Sequence, residues 1–377
     1  MGHNAGRSIA VVGGGIGGLT AALAFARTGA RVTVHEQAAA LTEVGAGLQI
    51  TPNGARVLHA LGLSDQMDRA GLPAAAVCPT DALTGRRIAR FDLTGRDYRF
   101  FHRADLIDML AQSCAQAGVE VRTNARVQGM TGDGMDDETS PILTIGADGL
   151  KSVCRSVLNP TDKPFFTGQV AWRAMVPMAD VAPEAKIWMA PGRHVVTYPL
   201  TGGRLNIVAV QERDSFAEDG WHHHDDPANL RAAFNDVCPV LADILGRVDD
   251  VRLWGLFRYE VAQNWHGTGL ALLGDAAHPT LPFLAQGANL AIEDAFVLAQ
   301  CCDRDPSVEK TLPEYQEIRR PRVMRAIAAA NANARNYHLS GFRRRVAHAG
   351  LSGLGKIAPD AFLNRMDWLY GHDVTTG

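Results

Sequence analysis

Apolar positions along this chain follow two periods, and each change of period marks an element. Ile9, Val11 and Val12 form a short β-branched run that reads as a buried strand. After a glycine-rich turn the alanine-rich stretch 16–29 reads as a helix ended by Gly29, and alternation resumes at Arg31-Val32-Thr33-Val34-His35. Strand, turn, helix and strand in about thirty residues make a βαβ unit. Farther on, Gly45 and Gly47 interrupt an extended segment, and Pro52-Asn53-Gly54 opens a helix with Val57, Leu58, Leu61 and Leu63 on one buried face. Residues 75–99 predict two short strands. Phe101-His102-Arg103 opens a helix to Gly118, residues 129–140 predict an exposed hairpin tip, and Leu143-Thr144-Ile145 reads as a buried strand.

From residue 168 the texture changes. Strand-like runs at 169–177, 186–189, 194–200, 204–211 and 251–261, broken by a helical stretch near 227–245, predict a mostly antiparallel sheet inserted into an α/β nucleotide-binding fold. Residues 270–273 return to buried-strand character. The helix after Gln286 is expected to turn Leu290, Ile292, Ala295, Phe296 and Val297 inward and Glu293 and Asp294 outward, with helix continuing through residue 335.

Composition narrows the class. A chain of 377 residues exceeds one average domain, so two domains or a large insertion are expected. Apolar residues at 46%, charged residues at 20% and a net charge of −3 describe a globular protein without a nucleic-acid footprint. Arg319-Arg320 and Arg343-Arg344-Arg345 read as solvated helix faces. Six cysteines lack C-x-x-C spacing, which fits reduced, incidental thiols. No apolar leader precedes the first strand and no run approaches about twenty apolar residues, so a cytoplasmic protein without membrane contact is expected. His222-His223-His224 lie beside Asp225 and Asp226 in what reads as a polar turn, and no metal site is assigned.

The candidate chemistry begins at Gly13, Gly15 and Gly18, spaced G-x-G-x-x-G between strand and helix. The first allows the turn, the second lets a pyrophosphate approach the backbone, and the third lets helix and strand pack closely. The helix N-terminus favours phosphate, and Glu36 after the second strand is placed to accept from a ribose. These residues alone leave FAD and NAD equally open. Arg103 at a helix start suits phosphate or ribose, and Asp148 at a strand tip beside Gly149 is a natural acceptor. His194 and Tyr198, four apart on a strand, share a face.

Three punctuations stand in order: G-x-G-x-x-G at 13–18, Gly146-Ala147-Asp148-Gly149 with Ser152 and Arg155, and Gly274-Asp275 with His278-Pro279. Together they resemble the flavoprotein monooxygenases of the p-hydroxybenzoate hydroxylase type. The stretches GAGLQITPNGARVLHALGL, VAWRAMVP, HVVTYPL, GDAAHPTLPFLAQGANLAIEDA and DWLYGHD are similar to the branch with salicylate hydroxylase, 3-hydroxybenzoate 6-hydroxylase and 6-hydroxynicotinate 3-monooxygenase. The resemblance spans essentially the whole chain. It implies a Rossmann-like FAD-binding domain from residues 1–74, 100–165 and 266–300, a substrate-binding β-sheet domain from 75–99 and 166–265, and a C-terminal helical segment, 301–377.

The resemblance further implies FAD, with NADH or NADPH as a transient donor and O2 as co-substrate, hydroxylating a small phenolic acid such as salicylate through a flavin C4a-hydroperoxide. Gly13, Gly15, Gly18 and Glu36 would hold the ADP half, Arg103 the pyrophosphate region and Asp275 the ribityl chain. Asp148 and Gly149 match a motif associated with FAD and the nicotinamide donor. Gln286, Gly287, Ala288 and Asn289 would start the helix facing the flavin, where a helix N-terminus suits the charge of reduced flavin. His194 and Tyr198 would sit in the substrate pocket as base or relay, and Pro282 would shape the oxygen site. Ala285 stands where many relatives have glycine. A monomer or homodimer is expected. Other activities on this fold, such as epoxidation of a natural product, or flavin binding without turnover, remain alternatives, whereas no W-x-W-x-I-P segment supports a halogenase.

Overall fold

The N-terminal βαβ unit forms as its periodicity predicts. In the computed structural model, which describes residues 2–41, 46–135, 141–214, 223–358 and 363–376, β1 (Ser8–Val12), α1 (Ile16–Arg27) and β2 (Arg31–His35) open the chain. β1 and β2 pair in parallel, Ile9 opposite Val32. Parallel strands need both faces covered, and α1 buries residues from Ile16 to Phe25 against them, only Gly17 among these being half-buried. After β3 (Gly47–Ile50), α2 (Pro52–Ala60), α3 (Ser64–Ala70), β4 (Leu72–Pro73), β5 (Ala76–Asp81), β6 (Phe91–Asp92), β7 (Arg99–His102) and α4 (Arg103–Gln116), the chain re-enters the first sheet. There β8 (Glu120–Arg122) and β9 (Leu143–Gly146) join β1 and β2, and β9 leads into α5 (Val153–Leu158).

The second sheet follows from β10 (Phe165–Pro177), β11 (Glu184–Ala190), β12 (Arg193–Leu200), β13 (Arg204–Glu212), β14 (His223–Asp225) and β15 (Val251–Arg258), with α6 (Pro227–Ala233) and α7 (Pro239–Gly246) between the last two. Its order is β14-β15-β10-β13-β12-β11-β5-β6, antiparallel except where β11 meets β5. Alternation sorts its faces. Val170, Trp172, Ala174 and Val176 pack with Leu230, Leu241 and Leu245 of the two helices, and the intervening Arg173 faces the opposite side, where a cavity lies. A small sheet, β3-β7-β4, joins this layer to the first. Then β16 (Leu270–Leu272) completes the parallel sheet as β16-β9-β1-β2-β8, and α8 (Gly287–Arg304), α9 (Val308–Tyr337) and α10 (Gly341–Ile357) finish the chain with a short helix, Asp367–Tyr370.

Four expectations need correction. Phe101 and His102 belong to β7, so the following helix starts at Arg103. His223 and His224 lie in the edge strand β14 and not in a turn, because they pair with Leu253 and Arg252; His222 lies outside the described residues. The expected hairpin tip is not among these, since Thr131 and Gly134 form an antiparallel bridge, and 136–140 lie outside the described residues. Most consequential is α8: Glu293 and Asp294 are fully buried instead of facing outward, and Arg319, expected on a solvated face, is buried with them.

The reason is mutual neutralisation across helices. Arg319 of α9 sits 2.6 Å from Glu293 Oε2 and donates from Nε to Asp294 Oδ1 at 2.7 Å. Arg322 adds two 2.7 Å bonds to Glu293, and Asn53 of α2 donates to the same carboxylate at 2.6 Å. Asp294 Oδ2 also meets His278 Nε2 at 2.5 Å. Burial alone would raise the Asp294 pKa; His278 and Arg319 overcome it and hold it at about 2. Arg344 likewise is held by a 2.7 Å ion pair to Asp81, while Arg343 and Arg345 are exposed.

Removing one partner of such a cluster leaves a buried charge uncompensated. Arg319→Leu is expected to lower unfolding stability by about 3–5 kcal/mol, measured by urea denaturation, while Arg343→Ala at an exposed site changes it by less than about 0.5 kcal/mol.

Candidate active site

A cavity of about 600 Å³ runs from the turn after β1 to the start of α8. Its near end depends on glycine. Gly13 has φ +105°, and a Cβ there would lie 2.4 Å from the Ala147 carbonyl oxygen; at Gly18 it would lie 1.9 Å from the Gly13 oxygen. A side chain at Gly13 would collide with the backbone that follows β9, and one at Gly18 would push α1 away from the end of β1. Gly15 lies on the cavity wall at the N-terminus of α1, with no atom of the described residues within 4 Å of where a Cβ would stand. Glu36 is fixed at the rim by two backbone amides, Gly14 N–H to Oε2 at 2.7 Å and Ala38 N–H to Oε1 at 2.8 Å. Gly149 and Asp148 line the wall beside it. The Asp148 carboxylate caps α5, accepting from Ser152 Oγ at 2.6 Å and Val153 N–H at 2.7 Å.

Charge concentrates in the middle. Arg103, first residue of α4, Arg173 of β10 and Asp275 of the turn after β16 all line the cavity. Desolvation lowers the Arg103 pKa to about 10, with Arg173 adding to the effect and Asp275 opposing it. Desolvation also lowers Arg173 and raises Asp275; His278, Arg103 and Arg173 oppose the rise. Arg173 Nε is buried and has no hydrogen-bond partner among the described residues. Glycine-lined backbone at one end, an under-bonded guanidinium in the middle and a helix N-terminus at the other match the needs of a long, pyrophosphate-bearing nucleotide.

At the far end, Pro282–Leu284 forms a 3-10 turn and Ala285 takes φ +55°, the left-handed region that glycine occupies more readily. Gln286, Gly287 and Ala288, at the start of α8, line the wall. The side chains of Gln286 and Asn289 turn away from it: Gln286 donates to Thr51 Oγ1 at 3.0 Å, and Asn289 accepts from Thr51 N–H and donates to the Gln49 carbonyl, each at 2.9 Å. They anchor α8 to β3 and α2. Asn289 is absent from the wall, and Gly18 acts behind it through packing.

A second cavity, about 470 Å³ and mostly apolar, shares Gln49, His194, Val196, Pro282 and Ala285 with the first. His194 and Tyr198 thus stand on one face of β12, as their spacing predicts. Tyr198 stacks on Phe100 with ring centroids 4.9 Å apart. Burial pushes its phenol pKa up, relieved in part by Arg173 and by bonds with Gln49 and Asn206. Burial, with His338 adding, drives His194 well below 6.5. Near neutral pH the pair is therefore an uncharged imidazole and an uncharged phenol.

Sequence reasoning missed several residues here. Arg173 had a legible signal, a lone charge within the apolar strand VAWRAMV. Tyr98, which donates to Gln49 Oε1 at 2.5 Å, and Tyr337 and Tyr370 had none, because their elements reach the second cavity only through the tertiary fold.

Comparison with known proteins agrees with this geometry. The FAD binding domain family matches residues 7–330. The chain is 33% identical to a 3-amino-4-hydroxybenzoate 2-monooxygenase of Streptomyces platensis, over 97% of this chain and 96% of the relative. It is 31% identical to 3-hydroxybenzoate 6-hydroxylase 1 of Aquipseudomonas alcaligenes, over 99% and 98%. The crystal structure of Klebsiella pneumoniae HpxO with FAD and uric acid superposes with a TM-score of 0.81 at 24% identity, covering 96% of this chain and 95% of that one. With a family match over most of its length and relatives above 30% identity, this chain belongs to the FAD binding domain family, alongside FAD-dependent aromatic monooxygenases.

Proposed function

We propose that the chain is a cytoplasmic, NAD(P)H-dependent FAD monooxygenase that hydroxylates a small phenolic acid, a hydroxybenzoate or salicylate-like ring. The observation that carries this reading is the position of His194 on the wall shared by a nucleotide-sized cleft and an apolar cavity, where burial lowers its pKa well below 6.5, with Tyr198 on the same face of β12 lining the cleft. The relatives' named substrates, an aminohydroxybenzoate and a hydroxybenzoate, support a phenolic acid.

Bound FAD would supply hydride acceptance from NADH or NADPH and the activation of O2 for transfer to the ring. The turn at Gly13, Gly15 and Gly18 and the carboxylate of Glu36 would hold its ADP half, Arg103, Asp148 and Gly149 its central part, and Asp275 its ribityl chain. Amides of residues 286–288 at the start of α8 would stabilise negative charge on the ring system. His194 takes the phenol proton, because a phenolate ring is far more nucleophilic than a phenol. Tyr198, still protonated, donates a hydrogen bond and orients the ring. Pro282 and Ala285 shape the passage between the cavities, and the apolar wall of the second excludes water that would divert oxygen to peroxide. Residues 75–99 and 166–265 would form the substrate-binding part and the remaining sheet the FAD-binding part.

The decisive assay is NADH and NADPH oxidation by FAD-loaded protein across salicylate, 3-hydroxybenzoate, 3-amino-4-hydroxybenzoate and 6-hydroxynicotinate, with peroxide quantified. At least one acid is expected to accelerate oxidation without stoichiometric peroxide; no stimulation by any phenolic acid refutes the reading.

His194→Ala is expected to keep its flavin while product formation falls by about 10²- to 10⁴-fold and the peroxide share rises. In the wild type the acid limb of kcat/KM assigned to His194 should lie below pH 6.5, since burial favours the neutral base and only acid removes it; a limb above 6.5 removes His194 from the base role. Asp275→Ala should purify mostly without FAD, and a fully yellow variant overturns its assignment.

A further inference from the structure

His194 does not end in the cavity wall. Its Nδ1 lies 2.7 Å from Nε2 of His338, the residue that caps α9, and His338 Nδ1 lies 2.7 Å from Oε1 of Glu212 at the end of β13. The two rings are buried at 2% and 7% exposure, whereas the Glu212 side chain is 53% exposed. Three titratable groups from three elements therefore make an unbroken line from the apolar cavity to solvent.

The chain of bonds fixes every tautomer. An ionised Glu212 only accepts, so His338 carries its proton on Nδ1 and leaves Nε2 as an acceptor. His194 must then donate from Nδ1, which leaves the lone pair of its Nε2 as the free basic position of a residue that lines both cavities. A carboxylate more than half in solvent thus determines which nitrogen of a buried ring acts as base. Backbone holds the line in place: Gly192 N–H donates to the His338 carbonyl at 3.1 Å, and Glu212 N–H donates to the Gly192 carbonyl at 2.9 Å. Around His194 the other facing groups are the rings of Tyr337 of α9 and Phe283; burial and His338 are the influences on its charge, and burial and Glu212 those on His338.

We infer that His338 and Glu212 form the path by which a proton taken by His194 leaves the closed site. This rests on the proposed phenolic-acid reading. The substrate O–H breaks as His194 Nε2–H forms; His194 Nδ1–H passes to His338 Nε2; His338 Nδ1–H passes to Glu212, which gives it to water. No electrons change hands. When the ring regains its proton after oxygen transfer, the same path runs inward and restores the starting tautomers. The path answers a physical need, since an imidazolium trapped at His194 would be a buried charge far from any carboxylate of its own. His338 and Glu212 are positioning residues here, acting on the substrate only through His194.

The test uses FAD-loaded protein mixed rapidly with 3-hydroxybenzoate, or whichever acid of the panel the wild type turns over, in weak buffer with a pH-indicator dye. Phenolate absorbance and proton release are followed together in the wild type, Glu212→Gln, Glu212→Asp and His338→Gln. Flavin content and acid affinity are expected to stay near wild type in Glu212→Gln, because the residue is half in solvent, while phenolate formation and dye response slow together by at least about tenfold, a modest part of what general base catalysis contributes. Glu212→Asp should recover most of the rate, and ¹⁵N shifts of labelled histidine should show His338 as the Nδ1–H form in the wild type and mixed in Glu212→Gln. Wild-type rates in both Glu212→Gln and His338→Gln overturn the path and leave the proposed function standing. Absence of phenolate in the wild type with every phenolic acid overturns the function and the path with it.

Discussion

The fold depends on two adjacent carboxylates placed where a helix has no access to water. Glu293 and Asp294 lie in the first half of α8, fully buried, and each needs a cation and further donors to be tolerated there. Arg319 supplies charge to both, Arg322 and Asn53 complete Glu293, and His278 and the Gly274 amide complete Asp294. The consequence is geometric. One cluster fastens α8 to α9, to α2 and to the Gly274-Asp275 turn, and Arg322 extends it to the backbone of Trp368 and Leu369 near the C-terminus. The helix whose N-terminus faces the cavity, and the turn that carries Asp275, are positioned by the same neutralised charges.

Polarity is divided along the joined cavities. Cations, a carboxylate, glycine-lined backbone and a helix N-terminus occupy the first, and mostly apolar walls, with a few hydroxyls and amides and with His348 and Arg365, occupy the second. That division suits a charged nucleotide on one side and a flat ring on the other. At the seam burial lowers the His194 pKa, and farther along the same strand burial raises that of Tyr198, so both side chains are biased toward their neutral forms. The His338–Glu212 line then leads from His194, on the wall of a mostly apolar cavity, to a half-exposed carboxylate.

Local rules decided much of this protein before any tertiary contact. G-x-G-x-x-G between a β-branched run and an alanine-rich helix has one comfortable backbone solution, which is why Gly13 and Gly18 sit where the spacing predicts. Two-residue alternation likewise fixed the face shared by His194 and Tyr198 and the strands of the second sheet. The three glycine and acid punctuations, taken together, carried the family.

Periodicity could not reveal charge compensation between helices. From sequence alone Glu293, Asp294 and Arg319 are ordinary solvent-facing residues, since burying them is favourable only once all three meet, and residues 293 and 319 meet only through the turn joining α8 to α9. Nor could it reveal that Gln286 and Asn289 bond to Thr51, that Tyr337 and Tyr370 close the apolar cavity, or that His338 lies within hydrogen-bond reach of His194, 144 residues away. The sequence by itself determined the strand–turn–helix grammar and the faces of each strand, because those depend on neighbours a few residues apart. Only the tertiary structure decided which charges are buried, which rings share a wall and where a proton can travel, because those depend on groups brought together from distant parts of the chain.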